Sequence, residues 1–136
     1  MSDSCTGHSA GGMRSKGVPL IGIVDDDESV RDSISNLIRS AGYRSAAFSS
    51  AEAFLNSERQ RETDSLVLDI RMPGMSGLEL QRRLSEMKCA IPIIFVTAHA
   101  DDELRARAVK QGAVAFLTKP FRYEVLLGAI RSALES

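Results

Sequence analysis

The chain has 136 residues, 43% hydrophobic and 26% charged, with a formal net charge of −1. That length suits one ordinary domain with its own core, and the near-zero charge supplies no field for nucleic acid or an anionic membrane, so direct nucleic-acid binding by this chain is not expected. No apolar run approaches the ~18 residues of a membrane helix, and the N-terminus lacks the apolar stretch of a secretory signal. A cytoplasmic protein with no membrane partner is therefore expected.

Cys5 and Cys89 have no metal-ligand spacing and are expected to be free thiols. Residues 1–17 are rich in Ser and Gly without apolar periodicity, which predicts a disordered tail; His8 within it reads as a solvated side chain. The single domain is expected over residues 18–136.

From Pro19 onward, short apolar runs alternate with amphipathic stretches. Leu20–Val24 predicts a buried strand. Val30, Ile34, Leu37, Ile38 and Ala41 recur at helical spacing, and Gly42 supplies a stop. Tyr43–Phe48 predicts a weaker strand. Ser49 with Glu52 forms a capping-box pattern ahead of a short helix ending near Ser57. Arg59–Thr63 reads as a polar loop, and Leu66–Leu68 as a third strand closed by Asp69.

Pro73, Gly74 and Gly77 mark a turn before a helix carrying Leu80, Leu84 and Met87 on one face. Ile93–Val96 predicts the fourth strand and Asp101–Gln111 the fourth helix, stopped by Gly112. Ala115–Leu117 is the fifth strand, broken by Lys119 and Pro120. Arg122–Leu134 closes the chain as a fifth helix, with Leu126, Ile130 and Ala133 inward. Strands that are apolar at nearly every position, separated by helices, predict an α/β, doubly wound, five-stranded parallel sheet covered on both faces.

The polar residues that punctuate this pattern are not scattered. Asp25, Asp26 and Asp27 follow the first strand, Asp69 the third, Thr97 the fourth and Lys119 the fifth. In a parallel sheet these groups converge on one edge, where open α/β sheets bind ligands. Clustered carboxylates repel one another, and a divalent cation relieves that repulsion. An oxygen-only ligand set without His or Cys favours Mg²⁺, Mn²⁺ or Ca²⁺ over zinc or copper. A hard cation, an ammonium and a hydroxyl suit the three oxygens of a phosphoryl group, with a carboxylate as its nucleophile. Taken singly, each residue has a plainer role: Asp27 as a helix cap, Thr97 as a strand-end hydroxyl, Lys119–Pro120 as a turn. The joint placement carries the argument.

Four segments, Ile23–Glu28, Leu66–Gly77, Ile94–Ala98 and Ala115–Phe121, together resemble the response-regulator receiver family. The resemblance covers about residues 18–135 and is similar in texture to receivers of the FixJ type, which precede a DNA-binding domain. It implies a flavodoxin-like sheet of order 2-1-3-4-5 with five helices. It implies Asp69 as phosphoacceptor, with Asp25 and Asp26 as the acidic pocket and Asp26, Asp69 and the Arg71 carbonyl as Mg²⁺ ligands, Mn²⁺ substituting. Thr97 and Lys119 are implied as the pair that contacts the phosphoryl group, and Phe116 as the aromatic switch position. A sensor histidine kinase or phosphotransfer protein is the implied donor, and the chain is an acceptor with slow self-dephosphorylation, not a turnover enzyme.

Two further expectations rest on position. Arg71 and His99 each lie two residues beyond a site residue and are expected to tune the lifetime of the phosphoryl group. The fourth helix, fifth strand and fifth helix are expected to form the readout face. There Phe116 rotates inward as Thr97 moves, and Arg105, Lys110, Arg122 and Glu124 suit a homodimer. The competing readings are a pseudo-receiver that binds partners without phosphorylation, and a small aspartyl-phosphate phosphatase. The second would carry its nucleophile on the first strand. A nucleotide switch lacks the glycine-rich phosphate loop it would need.

Overall fold

The computed structural model describes residues 17–98 and 101–135. Five strands, β1 (Leu20–Val24), β2 (Arg44–Phe48), β3 (Thr63–Asp69), β4 (Ile93–Thr97) and β5 (Ala115–Thr118), alternate with five helices. These are α1 (Glu28–Ser40), α2 (Ala51–Asn56), α3 (Gly77–Glu86), α4 (Asp102–Lys110) and α5 (Tyr123–Glu135). All pairings are parallel and the order is β2-β1-β3-β4-β5, as expected.

A parallel sheet of this order must be covered on both faces, and the core is accordingly split in two. On one side Phe54, Leu66, Leu68, Leu80, Leu84 and Phe95 pack beneath α2, α3 and α4. On the other, Ile21, Ile23, Ile34, Ile38, Leu126 and Ile130 pack beneath α1 and α5. Each such side chain taken out of water contributes roughly 1.5–3 kcal/mol. The inward residues expected on α5, Leu126, Ile130 and Ala133, are buried.

The caps follow from local chemistry. Asp27 accepts from the Ser29 and Val30 amides at the start of α1, the plain role expected of it. The Ser29 hydroxyl also donates to it, the main reason its carboxyl is held below the usual range. Asp101 caps α4 in the same way.

Several local expectations are corrected. The cap of α2 is Ser50, which accepts from Ala53 N, not Ser49, because strand β2 still holds Phe48 in extended backbone. Glu52 makes no capping box; its carboxylate reaches across to the β3–α3 loop and accepts from Met75 N at 3.1 Å. The reciprocal box instead opens α3, between Ser76 and Glu79. The polar stretch before β3 is a 3₁₀ turn over Glu58–Glu62, and β3 itself begins three residues earlier than the apolar run, at Thr63. Met87 is not on the buried face of α3; it caps the helix and is 40% exposed.

Residues 1–16, including Cys5 and His8, lie outside the described residues. The expectation of a free thiol fails at Cys89, which is buried and disulfide-bonded. Among the described residues no helix is long and apolar enough to cross a membrane.

Candidate functional site

The site is built where β1, β3, β4 and β5 end on the same edge of the sheet. Asp25 follows β1 and is 1% exposed; Asp69 ends β3 and is 6% exposed; Asp26 is turned to solvent. One carboxylate oxygen from each of Asp25, Asp26 and Asp69 falls within 4.8 Å of the others. Lys119, just beyond β5, places Nζ 2.9 Å from Asp25 Oδ2 and 3.9 Å from Asp69 Oδ2. The Lys119 amide donates to the Thr97 carbonyl at 2.7 Å, which ties the ends of β4 and β5 together. Thr97 is fully buried at the end of β4.

Local contacts hold this arrangement. Asp25 Oδ1 accepts from Asp27 N at 2.9 Å, and the Arg31 guanidinium donates to the Asp25 carbonyl at 2.8 Å, fixing the turn from β1 into α1. Gly77 lets α3 begin directly against the end of β3: its amide donates to the Ile70 carbonyl, and an added Cβ would meet the Asp69 carbonyl oxygen. Gly74 adopts φ +77°, and a Cβ there would come 2.8 Å from Glu52 Oε2. Glu52 and Gly74 thus shape the loop that leaves Asp69.

The electrostatics follow from this crowding. Burial, and then the charge of Asp25, push the Asp69 carboxyl up from 3.8 to about 6, against the opposing pull of Lys119 and of the Arg71 amide. A single ammonium does not balance three carboxylates. The donor set is oxygen-only and partly open at Asp26, which fits a hard divalent cation such as Mg²⁺ that keeps some of its waters. Zinc would want His or Cys ligands, and none belongs to this cluster.

The structure therefore brings together Asp25, Asp26, Asp69, Thr97 and Lys119 as expected from their strand-end positions. Arg71 lies on the same loop, two residues past Asp69, and is exposed; it also lines a cleft between α3 and α4. His99 lies outside the described residues. Phe116 sits on β5 and is already packed inward at 9% exposure, its ring centroid 6.3 Å from that of Phe95. The Arg105 guanidinium lies 5.5 Å from the Phe116 ring centroid, so Arg105 contacts the switch position instead of standing free on the surface. Sequence reasoning missed Arg31 and Glu52 as supports, and no local pattern marks them, because their partners lie on other elements.

Comparison with known proteins adds independent support. A sequence profile described as "Response regulator receiver domain" matches residues 21–131. The chain is 53% identical over 116 residues to the response regulator protein TmoT of Ectopseudomonas mendocina, covering 85% of this chain and 53% of that one. It is 40% identical over 112 residues to the transcriptional regulatory protein FixJ of Bradyrhizobium diazoefficiens, covering 82% and 55%. Among solved structures, the response regulator StyR is similar with a TM-score of 0.81 and 48% identity, over 88% of this chain and 60% of that one. The chain spans about half the length of the curated relatives it matches.

Proposed function

This chain belongs to the response regulator receiver domain family, and we propose on that premise that Asp69 accepts a phosphoryl group from the phosphohistidine of a sensor kinase or phosphotransfer protein. The observation that carries the assignment is the pair of buried carboxylates, Asp25 and Asp69, with the Lys119 ammonium 2.9 and 3.9 Å away. Of the three clustered acids, Asp69 is the one placed to react. Asp25 is engaged by Lys119 and by the Asp27 amide, and Asp26 points to water.

In the proposed transfer, an Asp69 carboxylate oxygen attacks phosphorus and a P–O bond forms. The P–N bond to the donor histidine breaks, and its electron pair returns to the imidazole. Asp26, Asp69 and the Arg71 carbonyl, with Asp25 close by, would hold a Mg²⁺ ion, which would supply charge neutralisation for the phosphoryl oxygens. Lys119 exchanges its contact with Asp25 for one to a phosphoryl oxygen, and the Thr97 hydroxyl donates to another. The raised carboxyl of Asp69 matters here because only the ionised form is a nucleophile; a cation in the pocket would extend that form to pH values below about 6. The chain acts once per phosphorylation and is an acceptor, not a turnover enzyme. Arg71 and His99, next to the pocket in sequence, set the lifetime of the acyl phosphate.

The output is read on the face of α4, β5 and α5. Thr97 ends β4 and Phe116 lies on the neighbouring strand, so drawing Thr97 toward a phosphoryl oxygen stabilises the conformation with Phe116 inward. Couplings of this kind amount to about 1–3 kcal/mol. That face exposes Val109, Tyr123 and Val125 beside Lys110, Arg122 and Glu124, a surface suited to a second copy of the chain. The resemblance to the transcriptional regulatory protein FixJ supports a role in transcriptional control through sequence that this relative carries beyond the matched half.

The test is intact-mass measurement after incubation with acetyl phosphate. A single phosphoryl adduct is expected only with a divalent ion and only when Asp69 is present. An adduct on Asp69→Asn, or on a Ser or His side chain, overturns the assignment. Sedimentation with and without beryllofluoride tests the dimer.

A further inference from the structure

The cleft between α3 and α4 is separate from the acidic pocket and has the opposite charge. It holds about 610 Å³, within the range of ligand sites in proteins. Its base is apolar: Ile70, Met72 and Leu78 are buried there, with Leu104 half-buried on α4. Its rim carries Arg71 from the β3–α3 loop, Arg82 from α3 and Arg107 from α4, all three exposed. Among the described residues neither Arg71 nor Arg107 has an ion pair, and Arg82 reaches only the exposed Glu86 at 4.0 Å. The one acidic lining residue, Glu79, is committed to the Ser76 amide in the cap of α3.

Three cations around an apolar base, on a chain whose net charge is −1, constitute a local field that the overall composition does not explain. We propose that this cleft binds an acidic peptide segment of a partner protein, an apolar side chain entering the base while carboxylates meet the arginines. A peptide is favoured over a small carboxylate because the three arginines come from three separate elements. One carboxylate satisfies one of them, whereas an extended segment offers a new side chain about every 3.3 Å. Arg71 shares its loop with Asp69, so occupancy of the cleft and the state of the phosphoacceptor bias the same piece of backbone, and any such coupling is reciprocal. The site itself does not depend on the phosphoryl-transfer reading.

The experiment titrates the ¹⁵N-labelled full chain with the peptide Asp-Glu-Leu-Asp-Glu, capped at both ends. Amide shifts are expected within residues 70–82 and 104–111. The isosteric neutral peptide Asn-Gln-Leu-Asn-Gln, and the acidic peptide with Ser for Leu, are each expected to bind about tenfold more weakly or worse. The variants Arg82→Glu and Arg107→Glu, exposed positions outside the phosphorylation site, are expected to lose at least as much while still accepting phosphate from acetyl phosphate. Shifts confined to other parts of the chain, equal binding of the neutral peptide, or unchanged binding by Arg107→Glu overturns the proposal. So does saturation of the same residues by octanoate at the peptide's own concentration, which would mark the cleft as a small-molecule site. Loss of phosphorylation in wild-type controls bears on Asp69 alone and leaves the cleft standing.

Discussion

Strand β3 carries two buried carboxylates five residues apart, and they do opposite things. Asp64, near the start of the strand, is 7% exposed and accepts the Leu20 amide at 2.8 Å, so it closes the amino end of β1. Asp69, at the other end, is 6% exposed and faces Asp25 with Lys119 nearly 4 Å off. The same residue type on the same strand with the same burial is satisfied by an amide in one place and crowded by a like charge in the other. Burial does not make a site; convergence of like charges does, because it leaves a group whose preferred partner must come from outside the protein.

The largest expected separation of the two is chemical. Asp69→Asn is expected to abolish phosphoryl uptake from acetyl phosphate, while Asp64→Asn, which keeps an acceptor oxygen for Leu20 N, is expected to retain it. Intact-mass spectra of both variants check this, and loss in both would erase the contrast.

Next in size is the packing that allows the reactive end to exist. Gly77→Ala drives a methyl group into the Asp69 carbonyl, and is expected to cost about 3 kcal/mol in urea unfolding. It is also expected to weaken Mg²⁺ binding, since the end of β3 must shift. An unchanged unfolding midpoint would mean that α3 yields instead.

Stability should then separate the two acids in sign. Asp64→Ala leaves the Leu20 amide without its side-chain acceptor and is expected to cost about 1–3 kcal/mol. Asp69→Asn removes a carboxylate whose titration is raised from 3.8 to about 6. A group with a raised carboxyl binds its proton more tightly when folded, so its ionised form costs stability above about pH 6. That cost fades as pH falls toward the unfolded value. The full shift corresponds to at most ~3 kcal/mol, and water on the Asp26 side reduces this to ~1–2 kcal/mol. Without divalent ions, Asp69→Asn is expected to be the more stable protein at about pH 7 and to lose that advantage by about pH 4. Mg²⁺ affinity should fall about tenfold as pH drops one unit below the Asp69 titration, and Asp25→Asn should move that titration down by removing a like charge.

The smallest effect concerns the support of the loop between them and α3. Glu52→Ala is expected to cost only ~0.5–1 kcal/mol, the worth of one exposed hydrogen bond, and to raise the exchange rate of the Met75 amide. Glu52→Gln, which keeps the acceptor, is expected to restore slow exchange.

Much of the site was legible because its members follow apolar runs that announce themselves. Asp25, Asp69, Thr97 and Lys119 each stand at or just past the end of a strand that sequence periodicity locates to within a residue or so. The amino ends of the strands were far less legible. Thr63 reads as the end of a polar loop, and Asp64 and Ser65 fall outside the apolar run, yet all three are buried in β3. Their burial depends on partners such as the Leu20 amide for Asp64 and the Arg59 carbonyl for the Thr63 hydroxyl. Short-range pattern also chose the wrong serine for α2, since Ser49 and Ser50 are equivalent in sequence and differ only in where β2 releases the chain.

The sequence by itself determined the order of strands and helices, the capping role of Asp27, and the set of charged residues delivered to one edge of the sheet. Each of these follows from local periodicity, or from a side chain meeting a backbone amide two or three residues away. Only the tertiary structure decided which carboxylates are in conflict and which are satisfied, that Glu52 braces the loop after Asp69, that Arg105 covers Phe116, and that three arginines surround one apolar cleft. Those outcomes depend on distances between elements far apart in the chain, and a contact of that kind leaves no periodic trace in the residues that make it.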